Sequence, residues 1–394
     1  MGAIFFTFVA FQCQPADMRL RIIAPKELNA SITLPPSKSV QSRLLMLAAL
    51  SNGAGMPSLL APSDNDCDDI RLLKQALLTA DEVVDVCDSG TALRFLTAFF
   101  SLRPGRHIVT GSARLCQRPL SPLVDALRML GAKIEYMGTP GYAPVRIHGG
   151  MLHGGRVEID ASESSQFISA LMLISPFVDG CIEIVRTGRH VSSPYIEMTA
   201  AILNSFPLSG SETNPLNHLK PLPPLNSLNP STEGDWTAAS YWYEMMLLSG
   251  GRVEFANLNR ASCQGDSVVP QWFRRISESD VVDIDFTDNP DLFPSVAVTC
   301  WALGKRLRSA GTENLRLKES DREVVVMDEL KKIEQGADTI SSHNDHRIAM
   351  AFAPLAFRLP HIIIDGAEAV SKSYPAYWRH LQEAGFQVQR LDIE

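Results

Sequence analysis

The sequence lacks three features that would place it in common functional classes. Its seven cysteines include no C-x-x-C pair, and no H-x-x-x-H spacing occurs, so it predicts neither a disulfide framework nor a zinc site and favours a reducing cytoplasm. Positive charge is in deficit, because 36 Lys and Arg against 44 Asp and Glu give a formal net charge of −8. This balance argues against general binding to nucleic acid or to an anionic membrane surface.

No apolar run is long enough to cross a bilayer. The most apolar segment, residues 1–11, also lacks the basic residues and the small-residue cleavage site of a signal peptide. We therefore interpret residues 1–17 as an extension of unclear role and expect a soluble protein whose folded part begins near Met18. A chain of 394 residues that is 45% hydrophobic is expected to form two or more domains with sizeable cores.

One pattern recurs along the chain: an amphipathic helix that ends at glycine, followed by a short alternating strand. It predicts helices at 119–130, 321–333 and 374–383, which are followed by strands at 133–136, 338–340 and 386–389 respectively. Shorter βα segments are predicted around 68–78 and 194–203. The repetition indicates an α/β protein built from duplicated modules, although glycine is a common helix end in any case. Residues 205–233, rich in Pro, Asn and Ser, break the pattern and predict an irregular stretch.

Several predicted helices begin with polar residues that include Lys or Arg. These starts lie at 37–43, 89–94, 318–323 and 344–347, and residues 164–166 begin a fifth helix with neutral donors only. A cation is unfavourable at the positive end of a helix unless an anion also lies there. On an acidic protein, the repetition indicates a small ligand with several negative charges.

Each of these residues also has a structural interpretation. Lys38 could be a solvated surface charge, and Glu319 could balance its cationic neighbours or transfer a proton. Asp291 precedes an apolar helix, so an N-cap is its simpler role. Ser320 and Glu323 have the spacing of a capping box.

Taken in order, the motifs resemble those of the 5-enolpyruvylshikimate-3-phosphate (EPSP) synthase family over the chain from Met18 onward. The matching segments are Pro36-Ser37-Lys38-Ser39, Ser89-Gly90-Thr91-Ala92-Leu93-Arg94, Arg118-Pro119-Leu120, Ser164-Ser165-Gln166-Phe167, Ser192-Ser193-Pro194-Tyr195, Gly234-Asp235, Lys318-Glu319-Ser320-Asp321-Arg322, Asn344-Asp345-His346-Arg347 and Lys372-Ser373-Tyr374-Pro375.

The resemblance implies an α/β fold of the α+β type with two similar globular domains, each of about three βαβαββ units, and with helix N-termini facing the cleft between them. It places 35–233 in an N-terminal-type domain and 18–34 plus 234–394 in a discontinuous C-terminal-type domain. The implied reaction moves the enolpyruvyl group of phosphoenolpyruvate to the 5-hydroxyl of shikimate-3-phosphate and releases phosphate. No metal or organic cofactor and no macromolecular partner is implied, and the family suggests a monomer.

The resemblance also assigns residues. It makes Asp291 the base for the 5-hydroxyl proton, Glu319 the acid for the methylene carbon, and Lys38 a catalytic residue close to both substrates. The set implied for shikimate-3-phosphate is Lys38, Ser39, Arg43, Ser164, Ser165, Gln166, Ser192, Tyr195, Asp291, Asn314 and Lys318. The set implied for phosphoenolpyruvate is Lys38, Gly90, Thr91, Arg118, Gln166, Arg322, Arg347 and Lys372.

Two departures from the family pattern keep alternatives open. A strand hairpin usual in the family is missing after Ile340, and residues 205–233 replace an expected αβ unit. A homologue that binds phospho-anions without turnover is therefore the second hypothesis. The sister reaction on UDP-N-acetylglucosamine is disfavoured, because its family carries a nucleophilic Cys before the Arg-Pro pair, and Cys116 lies only two residues before Arg118.

Overall fold

The computed structural model describes residues 18–51, 57–205 and 233–392. The predicted extension 1–17, and all but the two end residues of the predicted irregular stretch 205–233, lie outside the described residues. No helix in the described ranges combines the length and the apolar character needed to cross a membrane.

Helices and strands alternate along the described chain. The helices are α1 Lys38–Leu50, α2 Asp68–Leu78, α3 Gly90–Leu102, α4 Ser121–Met129, α5 Ser165–Ile174, α6 Ser193–Ser205, α7 Trp236–Ser249, α8 Val269–Glu278, α9 Phe293–Ala302, α10 Arg322–Glu334, α11 His346–Phe352 and α12 Tyr377–Glu383. The strands are β1 Arg19–Ile23, β2 Asn29–Ile32, β3 Val83–Asp85, β4 Gly105–Thr110, β5 Lys133–Tyr136, β6 Val145–Gly149, β7 His153–Asp160, β8 Asp179–Thr187, β9 Arg252–Phe255, β10 Val281–Asp285, β11 Arg306–Ala310, β12 Thr339–Ser341, β13 Ile362–Asp365 and β14 Gln387–Leu391.

The helix–Gly–strand prediction is confirmed at each of its three sites, with small shifts of the boundaries. Helix α4 is followed by β5, α10 by β12 and α12 by β14. Gly131, Gly336 and Gly385 after these helices all have positive φ, the conformation that favours glycine at a helix end. Helix α12 begins three residues later than predicted, since Pro375 disfavours a helical conformation of the preceding residue, Tyr374.

Two four-stranded sheets share one topology. In the first, with order β3-β4-β6-β5, β3 and β4 are parallel while β6 is antiparallel to both β4 and β5. The second, with order β12-β13-β1-β14, has the same pattern. In the second sheet β1 has the position that β6 has in the first, although β1 lies near the N-terminus and its three neighbours in the sheet lie near the C-terminus.

The remaining strands form parallel pairs, β2 with β9, β7 with β8, and β10 with β11. Among the described residues, α1 to α6 belong to one domain and α7 to α12 to the other. Between α10 and α11 the chain forms only β12, which pairs with β13 in the neighbouring sheet. The hairpin expected from the family is therefore absent at this point.

Two separate apolar cores account for the two domains. One is built by residues between Val40 and Leu203. The other combines residues from Leu20 to Leu34 with residues from Trp236 to Phe386. The fold is thus a mixed α/β arrangement of two domains, and the starts of helices from both meet between the cores.

Candidate active site

A cavity between the two domains is lined by the starts of helices from both. All but one of the residues that the sequence analysis assigned line it, and the exception, Lys372, contacts Glu319, which does. The first domain supplies Lys38, Ser39, Arg43, Gly90, Thr91, Arg118, Ser164, Ser165, Gln166, Ser192 and Tyr195. The second supplies Asp291, Asn314, Lys318, Glu319, Arg322 and Arg347.

Lys38 is the first residue of α1, where the helix dipole disfavours a cation. Its Nζ lies 2.8 Å from Oδ2 of Asp69, in the first turn of α2. Burial, the largest single influence, would lower the pKa of Lys38, but Asp69 acts together with Cys67 and Glu319 and the pKa is raised. Lys38 is therefore held charged at the cavity wall, and the interpretation as a solvated surface charge is wrong.

Arg43 lies one turn further along α1 and is buried, with no carboxylate partner in the part of the chain that the structure describes. Its guanidinium donates to the Thr199 hydroxyl at 2.7 Å, to the Ser39 carbonyl at 2.7 Å and to the Tyr195 carbonyl at 3.1 Å. Burial lowers its pKa to about 10, so the group remains protonated at neutral pH. A buried cation that is bonded only to neutral acceptors favours an anionic ligand.

Gly90 allows two arginines to approach the start of α3. A Cβ atom at this position would lie 2.5 Å from Nη1 of Arg118 and 2.6 Å from Nη1 of Arg94. Burial lowers the pKa of both arginines, and Arg118 lowers the pKa of Arg94 further. The Nε of each guanidinium is buried without a hydrogen-bond partner in the described chain, and two such adjacent groups form a binding site for a phosphate or a carboxylate.

Neutral donors and acceptors complete the wall of the first domain. Ser164 is the N-cap of α5 and accepts from the Gln166 amide at 3.2 Å, while the Gln166 side chain donates to the Thr91 hydroxyl at 2.9 Å. The Gln166 side-chain oxygen is buried without a partner in the described chain. It is thus available to a ligand donor.

Asp291 lies at the centre of the cations of the second domain. Its Oδ1 accepts from Lys318 at 3.2 Å and from Arg322 at 2.6 Å, and its Oδ2 accepts from Arg347 at 2.8 Å. Burial would raise the pKa of this carboxyl, but the three cations outweigh it and hold the pKa well below its usual range. The Tyr195 hydroxyl of the first domain lies 3.5 Å from Oδ2.

Glu319 is a further carboxylate of the cavity and, like Asp291, accepts from Arg322. Arg322 Nη2 donates to its Oε2 at 2.8 Å, and Lys372 Nζ lies 3.3 Å from its Oε1. Burial opposes ionisation, but Lys372, Arg322 and Arg118 together hold the pKa of Glu319 well below its usual range. Arg322 therefore bridges the two carboxylates, and its Nε is fixed from behind by the buried Asp345 at 2.8 Å.

Two capping predictions are wrong. The N-cap of α10 is Asp321, whose carboxylate accepts from the Val324 amide at 3.4 Å, so the capping box of Ser320 and Glu323 does not form. The Ser320 hydroxyl instead donates to the buried Asp345. Asp291 makes no capping bond either, because its carboxylate is turned towards the cations of the cavity.

The sequence analysis assigned no site role to three residues that hold or accompany the cations of the cavity. Asp69 pairs with Lys38, Arg94 stands beside Arg118, and Asp345 anchors Arg322. Asp69 is in the acidic first turn of a predicted helix, a position that looks like ordinary capping. Only the three-dimensional contact with Lys38 distinguishes it from its neighbour Asp68.

The cavity offers cations from both domains around two carboxylates and a set of hydroxyl and amide donors. Within the described ranges, no group of three His, Cys, Asp or Glu residues is placed to hold a metal ion. The arrangement can bind several phosphate or carboxylate groups and can supply carboxylates for proton transfer.

Comparison with known proteins gives consistent matches. The family model for EPSP synthase (3-phosphoshikimate 1-carboxyvinyltransferase) matches residues 63–381. A 3-phosphoshikimate 1-carboxyvinyltransferase of Bacteroides fragilis is 39% identical, covering 94% of this chain and 99% of its own. One of Methanospirillum hungatei is 32% identical, covering 89% and 95% respectively. The structure of EPSP synthase from Acinetobacter baumannii superposes with a TM-score of 0.67 at 19% identity, covering 94% of this chain and all of that one, and supports the fold.

Proposed function

The chain belongs to the EPSP synthase family, and from this premise we propose how its cleft residues divide the work of the 3-phosphoshikimate 1-carboxyvinyltransferase reaction. The enzyme transfers the enolpyruvyl group of phosphoenolpyruvate to the 5-hydroxyl of shikimate-3-phosphate and releases phosphate, a step in the biosynthesis of aromatic amino acids. The residue roles below are proposals for this chain.

Phosphoenolpyruvate is assigned to the side of the cleft where cations of both domains converge. Arg118 and the backbone at Gly90 face it from the first domain, and Arg322, Arg347 and Lys372 face it from the second. Its phosphate and carboxylate supply negative charge for these cations, three of which pair with Asp291 or Glu319 in the free protein. Lys38 and Gln166 complete this set, with Thr91 orienting the Gln166 amide.

Shikimate-3-phosphate is assigned to the side lined mainly by the first domain. Hydroxyls of Ser39, Ser164, Ser165 and Ser192 suit its phosphate and ring hydroxyls, while Arg43 supplies the nearby positive charge. Tyr195, Asn314 and Lys318 close this side. The 5-hydroxyl of the ring is then directed at Asp291.

The observation that carries the proposal is the single guanidinium that bridges both carboxylates, 2.6 Å from Asp291 and 2.8 Å from Glu319. In the free cleft, the carboxylates neutralise the cations that hold the substrate anions. When phosphate and carboxylate groups of the substrate take over these cations, the pKa of each carboxyl rises. Asp291 thereby becomes a stronger base, and Glu319 becomes able to hold the proton that it donates.

The addition step forms the bond between the 5-oxygen of shikimate-3-phosphate and C2 of phosphoenolpyruvate. Asp291 accepts the hydroxyl proton, and Glu319 donates a proton to the methylene carbon, which becomes a methyl group. In the elimination step the bond between C2 and the phosphate oxygen breaks, and a methyl proton returns to Glu319 as the double bond reforms. The proton on Asp291 leaves with the released phosphate, so Asp291 is again ionised and Glu319 again protonated, as each was before the addition step.

The test is phosphate release by purified protein with both substrates, with each substrate omitted in turn. Release should require both substrates. Asp291→Asn and Glu319→Gln should each lower kcat at least about 100-fold, because each removes a proton-transfer group without changing its shape. Glu313→Gln is the matched control, because this exposed carboxylate pairs with Arg189 outside the cavity.

The hypothesis of a binding protein without turnover predicts a different outcome. Shikimate-3-phosphate would raise the melting temperature of the unmodified protein, but no phosphate would be released with both substrates present. That result would refute the proposed roles of Asp291 and Glu319.

We further propose that the chain passes between its domains near residues 34 and 234, acts as a monomer, and works in the cytoplasm.

A further inference from the structure

Arg114 crosses the cleft to the backbone of a segment that carries two of the assigned side chains. Its Nη2 donates to the carbonyl oxygens of Arg316 at 3.0 Å and Lys318 at 3.2 Å, and its Nε donates to that of Glu319 at 3.3 Å. Arg114 belongs to the first domain, whereas the three carbonyls belong to the second. No ion pair with a carboxylate is recorded for Arg114 in the described chain, so these carbonyls are its bonding partners.

The internal symmetry of the chain explains why Arg114 occupies this place. Residues 111–118 and 311–318 both follow the second strand of a parallel pair, and both form a three-residue 3-10 turn. The backbone bonds of the two turns match: the Gln117 amide donates to the Arg114 carbonyl, as the Leu317 amide does to that of Asn314. Arg114 and Asn314 are thus the N-caps of equivalent turns.

Both N-cap side chains reach the opposite domain. The Asn314 amide donates to the Ser162 carbonyl at 2.9 Å, just before the start of α5, which carries Ser164 and Gln166. Arg114 makes the corresponding contact in the other direction, to the segment with Lys318 and Glu319. Each domain therefore holds the backbone of a ligand-binding segment of the other domain.

We infer that Arg114 is a positioning residue that fixes the Lys318–Glu319 segment when the cleft is closed. It does not line the cavity and touches no substrate. Its bonds bridge the domains, so they form only when the domains come together. The inference rests on the proposed role of Glu319, whose carboxylate must lie close to the reacting carbon for proton transfer.

The test compares Arg114→Ala and Arg114→Lys with Arg316→Ala. The Arg316 side chain is exposed and makes no hydrogen bond or ion pair with the described residues. Arg316→Ala therefore removes one positive charge close to Arg114, as Arg114→Ala does, and leaves the Arg316 carbonyl in place. We expect Arg114→Ala to lower kcat about tenfold with the melting temperature nearly unchanged. Arg114→Lys should recover part of this loss, because one ammonium can still reach a carbonyl. Arg316→Ala should keep the kcat of the unmodified protein.

Amide hydrogen exchange of the peptide that contains residues 315–319 provides a readout that is independent of turnover. We expect faster exchange in Arg114→Ala than in the unmodified protein or in Arg316→Ala. A kcat within twofold of the unmodified protein, or an equal loss in Arg316→Ala, would overturn the inference. If the unmodified protein releases no phosphate, the proposed function fails, and the exchange measurement still decides whether Arg114 fixes this segment.

Discussion

Replacing Glu244 with Met should stabilise the protein, and the gain should grow with pH. Glu244 is completely buried in α7, and neither of its carboxyl oxygens has a hydrogen-bond partner in the described chain. The neighbouring Thr299 hydroxyl donates its hydrogen to the Ser295 carbonyl at 2.6 Å. Burial therefore raises the pKa of Glu244 well above its usual value of 4.5.

The sign of the pH dependence follows from this raised pKa. Above pH 4.5 the unfolded chain releases the proton of Glu244, whereas the folded protein retains it until the pH reaches the raised pKa. Each pH unit in that interval costs the folded state about 1.4 kcal/mol. Between pH 5.5 and 7.5 the cost reaches up to about 2.7 kcal/mol, which Glu244→Met avoids because Met does not titrate.

The assay is urea denaturation of the two proteins at both pH values. All other titrating groups are shared, so they cancel in the difference between the free energies of unfolding. We expect this difference to be larger at pH 7.5 than at pH 5.5, and an equal difference at both pH values would refute the reasoning. Glu329 is the matched control. It is also completely buried, but it accepts from Lys332 at 2.7 Å and contacts His343 Nε2 at 2.8 Å. Glu329→Met should therefore destabilise the protein.

Two further predictions concern the cleft. Gly90→Ala should raise the KM for phosphoenolpyruvate about tenfold with little change in the KM for shikimate-3-phosphate, because the added methyl would lie 2.5 Å from Nη1 of Arg118 and would displace that guanidinium. Steady-state kinetics with each substrate varied would check this, and equal changes in both KM values would contradict it. Asp69→Asn should move the alkaline limb of the profile of kcat/KM against pH to lower pH, because the Asp69 carboxylate raises the pKa of Lys38 against the effect of burial. The exposed Asp68→Asn is its control and should leave that limb in place.

Local elements of the fold could be predicted from the sequence, but their long-range pairing could not. The βα segment predicted around 68–78 contains α2, and the strand predicted at 133–136 has the bounds of β5, because periodicity and flanking turn residues act within one element. The pairing of β1 with β13 and β14 depends on side chains more than 300 residues apart. Without the family resemblance, no local pattern would have placed β1 in that sheet.

In the cavity, too, local features could be predicted from the sequence and long-range contacts could not. Lys and Arg at helix starts indicated an anionic ligand, because a cation at the positive end of a helix needs a partner. The residues that hold these cations in place were not apparent, since Asp69 resembles an ordinary capping residue. Arg114 was also missed, because its partners are backbone carbonyls of another domain, which no side-chain motif records.

The central position of β1 in the second sheet sets an order for folding during synthesis. Arg19 pairs with Asp365, so β1 must wait for 346 further residues before its neighbour β13 exists. At about 5–20 residues per second, that wait lasts roughly 17–70 s. The first domain, whose core ends at Leu203, is complete long before then. During translation β1 therefore has two unpaired edges and invites wrong strand partners, a period in which a chaperone that covers extended segments would raise the yield of folded enzyme.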